Sequence, residues 1–321
     1  MRAILHNGII PHMSDTVWTL DELKKSEPQK NFFAVLGKPI HHSLSPIMHR
    51  AAFEAAAISA QYVRIECSED TLEPTLHELR RIGARGWNCT LPLKEAMYQL
   101  CDERDAHAEK LGAVNTVINQ NGQLIGLNTD GPGWVTAVRE AFGVDVRDLR
   151  ILILGAGGAG RALALQAALE DCETLVIANR TFERAQQVAQ DAERLFPTKN
   201  KLSGSASSRV HAVNWHSEAM RQAIRNADLV VNATALGWKL TDPSVVPGNW
   251  LLPHLLVYDT VYRPRITPFL RAAATAGARI SNGLGMLLHQ GAMAWSLWTG
   301  REAPISAMRH ALEKALDEDQ T

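Results

Sequence analysis

The sequence predicts an α/β fold of two domains, one of which is a doubly wound parallel sheet. Apolar runs without alternation, such as RILILG at residues 150–155, are typical of parallel strands that are covered on both faces. Such runs alternate with helical patterns over most of the chain, which indicates βαβ units. A glycine-rich turn, GAGGAG at residues 155–160, joins one of these strands to a helix, where doubly wound sheets bind phosphate groups.

The composition is that of a globular protein of balanced charge. The chain has 321 residues, 46% of them hydrophobic and 21% charged, and its 33 basic and 34 acidic residues leave a formal net charge of -1. Such a balance provides no overall field for nucleic acid or for an anionic membrane. No apolar run approaches the roughly 18 residues of a transmembrane helix, and the first residues lack the pattern of a secretory signal. We therefore expect no nucleic-acid or membrane partner, and a monomer or homodimer.

The cysteines and histidines predict a cytoplasmic protein without a metal site. The four cysteines are Cys67, Cys89, Cys101 and Cys172. None of them has the C-x-x-C spacing of a zinc or redox site, so we interpret them as reduced thiols. The histidines His41, His42 and His49 have no acidic or thiol neighbours at ligand spacing, and we expect them to be loop and helix residues.

Residues 1–31 are predicted to be an N-terminal extension. Within it, Thr19 and Glu22 have the spacing of a capping box, which favours a short helix over about 20–25.

The first domain is predicted to comprise residues 32–129 and the C-terminal segment 283–321. Its elements are strands in FFAVLG, QYVRIEC and GWNCT, a helix that begins at Ser45-Pro46, helices over about 71–82 and 93–100, a hairpin with Asn121-Gly122 as its turn, and closing helices over about 285–298 and 305–317. Ser45 has the residue type of an N-cap, and the proline after it suits the first helical turn.

The doubly wound domain is predicted to comprise residues 130–282. Its strands are expected in RILILG, TLVIAN, ADLVVNAT, LLVYDT and ARISNG. The polar, serine-rich segment 196–209 is interpreted as a surface loop within this domain. We expect the active site in the cleft between the two domains, because open α/β sheets bind ligands at the carboxyl ends of their strands.

The glycine-rich turn predicts a dinucleotide site. Gly155, Gly157 and Gly160 have G-x-G-x-x-G spacing between a strand and a helix, which is the context that the motif requires. Glycines let the backbone approach a pyrophosphate, and the helix N-terminus offers free N–H groups. The alternative is a tight turn that is packed closely for structural reasons alone.

The end of the next strand favours NADP over NAD. An NAD site would have an acidic residue about 20 residues after the glycines, to bind the ribose hydroxyls. Asn179, Arg180 and Thr181 stand there instead, and Arg184 follows. A guanidinium can bind a 2′-phosphate with charge-assisted hydrogen bonds, whereas a carboxylate would repel it. Arg180 could also be an ordinary surface arginine.

Eight segments, in order along residues 32–318, resemble the shikimate dehydrogenase family. The segments are GKPIHHSLSPIMH, NCTLPLKE, GAVNT, GLNTDGPG, GAGGAGRA, NRT, YDTVYRPRITPFL and NGLGMLLHQGA. The resemblance implies NADPH-dependent reduction of 3-dehydroshikimate to shikimate, on the path to chorismate and the aromatic amino acids. The extension at residues 1–31 is not part of it.

The resemblance also implies roles for individual residues. Ser43 and Ser45 would bind the substrate carboxylate with help from Tyr262, and Thr90, Asn115 and Gln290 would bind ring hydroxyls. Lys94 and Asp130 would be the catalytic pair. The cofactor would be bound by residues of the glycine turn, of the strand after it and of two later loops: Gly155, Ala156, Gly157, Gly158, Ala159, Gly160, Asn179, Arg180, Thr181, Arg184, Asn232, Thr234 and Gly283.

The chemistry of a carbonyl reduction suits Lys94 and Asp130. A lysine can polarise the carbonyl oxygen and donate a proton to it, and a neighbouring carboxylate can hold the lysine and relay the proton. Each residue also has a structural interpretation, because Lys94 could be a surface charge and Asp130 a turn residue before Gly131-Pro132. Likewise, Ser45 could only cap a helix, Asn115 could bond backbone in a turn, Gln290 could be exposed, and Tyr262 could pack on the sheet edge.

Two other functions stay open. A relative that prefers quinate, or uses both acids, would differ only at one ring carbon of the substrate. A non-catalytic protein that senses the metabolite is the second alternative. Such a protein could lose Lys94 or Asp130 without losing its fold, and the presence of both residues counts against it.

Overall fold

Two β-sheets with helices around them organise the chain in the computed structural model, which describes residues 16–197 and 208–318. The predicted α/β fold with a doubly wound parallel sheet is confirmed. Within these ranges no helix is long and apolar enough to cross a bilayer. Statements about residues 1–15, and about most of the loop expected at 196–209, lie outside the described residues.

The first sheet has seven strands. They are β1 (Val17–Trp18), β2 (Phe32–Gly37), β3 (Gln61–Glu66), β4 (Gly86–Cys89), β5 (Glu103–Arg104), β6 (Thr116–Gln120) and β7 (Gln123–Leu127). Their spatial order is β1-β3-β2-β4-β6-β7-β5, in which β6 runs antiparallel to both of its neighbours and the other pairs are parallel. The predicted hairpin is β6–β7, and its turn residues Asn121 and Gly122 have positive φ angles of 55° and 98°, as a two-residue hairpin turn requires.

In the part of the chain that the structure describes, seven helices pack around this sheet. They are α1 (Leu20–Lys25), α2 (Ser45–Ala55), α3 (Glu69–Arg81), α4 (Lys94–Leu100), α5 (Ala106–Leu111), and the two C-terminal helices α11 (Leu284–Thr299) and α12 (Ile305–Glu318). The prediction that Ser45 caps α2 is wrong by one residue. Leu44 occupies the N-cap position without a side-chain hydrogen bond, and Ser45 lies in the first turn with its hydroxyl bonded to Tyr62.

The second sheet has six strands, all parallel. They are β8 (Arg150–Leu154), β9 (Thr174–Asn179), β10 (Val210–Asn214), β11 (Leu229–Asn232), β12 (Leu256–Asp259) and β13 (Arg279–Ser281). Their order, β10-β9-β8-β11-β12-β13, is that of dinucleotide-binding sheets. Along β8, Ile151 and Ile153 pack into one buried cluster and Leu152 and Leu154 into another, which explains why the strand has no polar face.

Among the described residues, five helices flank this sheet: α6 (Asp130–Phe142), α7 (Gly158–Leu169), α8 (Phe182–Glu193), α9 (Glu218–Asn226) and α10 (Pro268–Thr275). The core residues of α6 belong to the cluster under this sheet, and those of α11 belong to the cluster under the first sheet. The domain boundaries expected at residues 130 and 283 stay predictions.

Helices α6 and α11 cross at glycines. A methyl group on Gly133 would lie 2.7 Å from the backbone nitrogen of Gln290, and one on Gly285 would lie 3.1 Å from the Cβ of Ala137. The absence of these side chains lets the helix axes approach closely. This crossing brings the N-terminus of α6, with Asp130, next to the side of α11 that carries Gln290.

Residues 16–31, assigned from the sequence to an extension, contribute β1 and α1 to the first sheet and its helical layer. Thr19 and Glu22 form the predicted capping box, and Leu23 is fully buried. Arg81 of α3 donates from Nη2 to the carbonyl oxygens of Leu23 and Ser26, both at 2.9 Å, so it ties the C-terminal end of α1 to α3.

We expect Leu23→Ala to lower the free energy of unfolding by about 2–5 kcal/mol, because it leaves a cavity between α1 and α3. Urea unfolding followed by circular dichroism measures this loss. Lys25→Ala, at an exposed position of the same helix, is the matched control and should change stability by less than about 0.5 kcal/mol. Equal stabilities of the two variants would show that α1 does not pack on the domain in solution.

Candidate active site

Lys94 and Asp130 form an ion pair between the two halves of the protein. Lys94 Nζ lies 2.5 Å from Asp130 Oδ2, and the side chains are 32% and 11% exposed. Lys94 is the first residue of α4, after the turn that follows β4, and Asp130 is the first residue of α6. A carboxylate at a helix N-terminus is stabilised by the free N–H groups and the helix dipole. The pair is therefore held in place from both sides and remains open to a ligand.

A buried polar network supports the aspartate. Asn115 Oδ1 accepts from the Thr129 backbone N–H at 2.8 Å and from Thr116 Oγ1 at 3.0 Å. Asn115 Nδ2 lies 3.0 Å from Thr129 Oγ1 and 3.4 Å from Gln290 Oε1. Because Thr129 directly precedes Asp130, this network fixes the start of α6. The structure thus brings Asn115 and Gln290 together, and much of the hydrogen-bonding capacity of the Asn115 amide is already used by the protein.

The serine loop, which carries Ser43 and Ser45, lines the same cavity as the ion pair. The backbone N–H of Ser45 donates to Ser43 Oγ at 3.3 Å, and the Ser45 hydroxyl bonds Tyr62. Tyr262 reaches this loop from the other half of the chain through a hydrogen bond with the backbone of Leu44. Burial raises the pKa of the Tyr262 phenol, so this hydroxyl stays protonated at neutral pH.

A cavity of about 360 Å³ joins these groups. Its lining includes the predicted residues Ser43, Ser45, Thr90, Lys94, Asn115, Asp130, Ala159, Tyr262, Gly283 and Gln290. A larger depression of about 650 Å³ lies between Leu240 and α10, but it contains none of these groups. The cavity that holds the ion pair is therefore the candidate active site.

The glycine turn between β8 and α7 has two kinds of glycine. Gly155 has a φ of 108°, and a methyl group on Gly160 would lie 1.9 Å from the Gly155 carbonyl oxygen, so these two are required by the turn itself. Gly157 and Gly158 have nothing within 4 Å of such a methyl group and face open space. The exposed N-terminus of α7 follows, and Ala156 N–H donates to Asn179 Oδ1 at 3.1 Å. An open backbone surface at a helix N-terminus suits a pyrophosphate.

The end of β9 presents cations without a carboxylate. Arg180 and Arg184 are exposed, and neither side chain forms a hydrogen bond or ion pair with the residues that the structure describes. Thr181 is exposed at the N-cap of α8, and Asn179 Nδ2 donates to its carbonyl oxygen at 2.8 Å. The strand end thus has the charge that a 2′-phosphate needs.

Asn232, expected at the cofactor, is instead fully buried. Its Oδ1 accepts from the N–H of Thr234 at 3.0 Å and from the Thr234 hydroxyl at 2.8 Å, and its Nδ2 donates to Asp259 Oδ1 at 2.9 Å. Asn232 therefore shapes the loop that carries Thr234, and has no exposed surface for a ligand. Gly283 packs tightly, since a methyl group there would lie 2.1 Å from the Thr260 carbonyl oxygen.

Asp259 is a buried acid that links loops at the cleft. Its carboxylate accepts from Val261 N–H at 3.0 Å and from Thr267 Oγ1 at 2.6 Å, in addition to Asn232. Burial raises the pKa of Asp259 to about 6, although these hydrogen bonds oppose the rise. Asp259 thus joins the loop after β11 to the segment that carries Tyr262.

Several cavity residues were not identified from the sequence. Trp238 is half-exposed at the rim of the cavity, and Asn88 lies on its wall. Beneath the serine loop lie Tyr62 and Arg64 of β3. The available signal was an arginine in the middle of a buried strand, which is unusual unless it has partners. Among residues 16–197 and 208–318, no cluster of His, Cys, Asp or Glu is arranged to hold a metal.

Comparisons with known proteins agree on one family. Family models match for the shikimate dehydrogenase substrate binding domain at residues 35–117, shikimate/quinate 5-dehydrogenase at 136–242 and the shikimate 5′-dehydrogenase C-terminal domain at 283–313. The chain is 42% identical to the shikimate dehydrogenase (NADP(+)) of Moorella thermoacetica over 284 residues, which are 88% of this chain and 92% of that protein.

Solved structures are similar over the same extent. Shikimate 5-dehydrogenase from Thermus thermophilus, in complex with NADP(H) and shikimate, has a TM-score of 0.77 and 38% identity, with 89% of this chain and 100% of that chain covered. Quinate dehydrogenase from Corynebacterium glutamicum, in complex with NAD, has a TM-score of 0.78 and 29% identity, with 89% and 99% covered.

The raised pKa of Asp259 predicts a pH-dependent stability. Because folding raises this pKa from 3.8 to about 6, the native state binds the proton more tightly than the unfolded chain. Protonation of Asp259 therefore adds up to about 3 kcal/mol to the free energy of unfolding. This contribution is fully present below about pH 4 and is lost as the pH rises through about 6. The variant Asp259→Asn lacks this dependence. The difference in free energy of unfolding, variant minus wild type, should therefore rise by about 1.4 kcal/mol from about pH 5 to about pH 7.5.

Urea unfolding at the two pH values measures this change. Asp228→Asn is the matched control: hydrogen bonds from Arg150 lower the pKa of Asp228, so the carboxylate stays ionised throughout this range and the difference from wild type should be constant. A constant difference for Asp259→Asn as well would mean that Asp259 is ionised at both pH values.

Proposed function

The chain belongs to the shikimate dehydrogenase family, and from that membership we propose that it catalyses the reversible, NADP-dependent reduction of 3-dehydroshikimate to shikimate. It is an oxidoreductase, and the product lies on the path to chorismate and the aromatic amino acids. The observation that carries the proposal is the ion pair of Lys94 and Asp130 in a cavity that also reaches the glycine helix through Ala159.

The residues that line the cavity suit the polar groups of this substrate. We assign the substrate carboxylate to the hydroxyls of Ser43, Ser45 and Tyr262. The ring hydroxyls are assigned to Thr90, Asn115 and Gln290, which line the same cavity as the ion pair. A site built to hydrogen-bond hydroxyls rejects analogues that lack them, because its buried polar groups would then be unpaired.

The ion pair performs the proton transfer. When NADPH is bound, its nicotinamide supplies the hydride that reduces the carbonyl carbon. Lys94 donates a proton to the carbonyl oxygen as negative charge develops there, and in the reverse direction it accepts the proton of the hydroxyl. Asp130 holds Lys94 Nζ at 2.5 Å, which fixes the position from which the proton is delivered. Because the pair is part of the protein before the substrate arrives, little reorganisation is needed at the moment of reaction.

The residues of the second sheet fit NADP. Gly157 and Gly158 leave open backbone beside the N-terminus of α7 for the pyrophosphate, and Arg180 is placed for the 2′-phosphate, with Arg184 one helical turn further. We retain Ala156, Thr181 and Thr234 as neighbours of the cofactor, and Asn232 as the residue that positions Thr234.

A broader enzyme that also oxidises quinate is the second candidate, because one matching family model is that of shikimate/quinate 5-dehydrogenase and one similar structure is a quinate dehydrogenase. A cytoplasmic location, which the four free cysteines suit, and a monomer or homodimer also remain proposals.

An assay of the purified protein with shikimate and with quinate, each with NADP and with NAD, tests the function. We expect the highest kcat/KM with shikimate and NADP. Comparable values for the two acids would establish the broader enzyme. No turnover with any of the four combinations would favour a sensing protein over a dehydrogenase.

We expect Lys94→Ala and Asp130→Asn each to lower kcat by roughly 10²–10⁴-fold, because each removes a member of the proton-transfer pair. The double variant should be little worse than the poorer single variant, since residues that act as a unit are strongly non-additive. Steady-state kinetics measure the losses, and circular dichroism confirms folding.

Lys24→Ala removes the lysine of an exposed pair with Asp21 and is the control for loss of a surface ion pair, without effect on kcat. If the losses at Lys94 and Asp130 multiply in the double variant, the two residues act independently and the paired mechanism is wrong.

Arg180→Ala should raise the KM for NADP roughly 10- to 150-fold, the equivalent of the about 1.5–3 kcal/mol of a hydrogen bond to a charged group, and leave the KM for NAD nearly unchanged. Initial rates with each cofactor measure this difference. Arg225→Ala, at an exposed position of α9, controls for loss of a surface arginine and should affect neither cofactor. An equal rise for NADP and NAD with Arg180→Ala would show a structural role.

A further inference from the structure

Strand β3 passes directly beneath the serine loop and presents two polar side chains to it. Tyr62 and Arg64 alternate with Val63 and Ile65, which pack into the core on the opposite face of the sheet. Tyr62 and Arg64 are only 5% and 7% exposed. A buried arginine needs strong compensation, because desolvation of a charge is costly. Part of this compensation comes from the serine loop, and the hydrogen bonds there indicate what the site gains from Arg64.

Arg64 and Tyr62 each form hydrogen bonds with a residue of the serine loop. Arg64 donates from Nε at 2.9 Å and from Nη2 at 2.7 Å to the backbone carbonyl oxygen of Ser43. The Tyr62 hydroxyl bonds the side chain of Ser45 and donates to Asn88 Oδ1 at 2.7 Å. The fork of Arg64 thus holds the loop at Ser43, and Tyr62 holds it at Ser45.

The charge of Arg64 is the second part of the argument. The three hydroxyls assigned to the substrate carboxylate are neutral, and a carboxylate that leaves water for neutral donors alone loses much of its solvation. Arginine keeps its charge in any environment. Arg64 therefore places a permanent cation against the backbone carbonyl of Ser43, the residue that carries one of the three hydroxyls. Glu66, the next residue on this face of β3, pairs with Lys38 at 3.2 Å.

The titration of neighbouring groups agrees with a positive potential beside the serine loop. Burial lowers the pKa of His42, and the charges of His41, Arg263 and Arg64 lower it further. Burial raises the pKa of Tyr262, and the charges of Arg263 and Arg64 oppose that rise.

We propose that Arg64 is a specificity-determining residue that makes the cavity select a negatively charged carboxylate, and that it acts through the backbone of the serine loop while Tyr62 positions the Ser45 hydroxyl. The proposal rests on the assignment of shikimate as substrate. It adds that a residue outside the serine motif recognises the charge of the substrate, in addition to the hydrogen bonds that its carboxylate accepts.

The test compares shikimate with its carboxamide, which has nearly the same shape and no charge. Arg64→Met keeps the length of the side chain and removes the charge. It should raise the KM for shikimate roughly 10- to 150-fold, with kcat nearly retained because Lys94 and Asp130 are untouched. The KM for the carboxamide should rise by a smaller factor, roughly two- to tenfold, because this analogue loses the positioning of the serine loop but has no charge to lose contact with the cation. Arg64→Lys should recover part of the preference for the acid.

Tyr62→Phe is the matched control on the same face of β3. It removes a neutral hydrogen bond, so it should raise the KM for acid and amide by the same factor, roughly two- to tenfold. An equal rise for both substrates with Arg64→Met, or no rise for either, would overturn the proposal. If Arg64→Met does not fold, the kcat/KM values of the wild type for acid and amide provide the test. Equal values for the two substrates would also overturn the proposal. Failure of wild type to oxidise shikimate would instead refute the proposed function.

Discussion

The close crossing of α6 and α11 is the constraint on which the site depends. At this crossing Gly133 lies against the backbone of Gln290, where even a methyl group would be too close. The same packing fixes the start of α6, so Asp130 can meet Lys94, which the first sheet carries on α4. Lys94, Asp130 and Gln290 come from distant parts of the chain. Their common position follows from backbone packing between two helices, and small residues at that contact make it possible.

The buried amides and hydroxyls around Asn115 have a complementary role. Asn88, Thr116 and Thr129 are satisfied mainly by one another, so the wall of the cavity is rigid before a ligand binds. Buried polar groups are costly unless they are paired, and a network that is fully paired specifies one arrangement. The Lys94–Asp130 pair is different, because its lysine retains some exposure. Rigid walls around a partly open ion pair are what a proton transfer between protein and substrate requires.

Much of the architecture could be predicted from local sequence patterns. The strands of the parallel sheet appear as unbroken apolar runs, and the hairpin turn at Asn121-Gly122 has its own signature. Strand β10 was not identified, because it lies at the sheet edge and two of its five residues are exposed. Arg64 and Asp259 were not identified either, because their partners lie many residues away and no local spacing encodes such contacts. The motif residues of the cavity were identified by family resemblance, whereas the burial of Asn232 was not foreseen.

The four glycines of the turn after β8 are present for two different physical reasons. The turn itself requires Gly155 and Gly160. Gly155 has a left-handed backbone conformation, and Gly160 lies against the Gly155 carbonyl oxygen, where a side chain would not fit. A methyl group on Gly157 or Gly158 would contact nothing in the part of the chain that the structure describes. Selection for stable folding alone would thus preserve only the first pair, and the second pair could drift in any descendant that stopped using a dinucleotide. The state of these two positions in a related sequence would then record whether its ancestors kept the cofactor, independently of the catalytic residues.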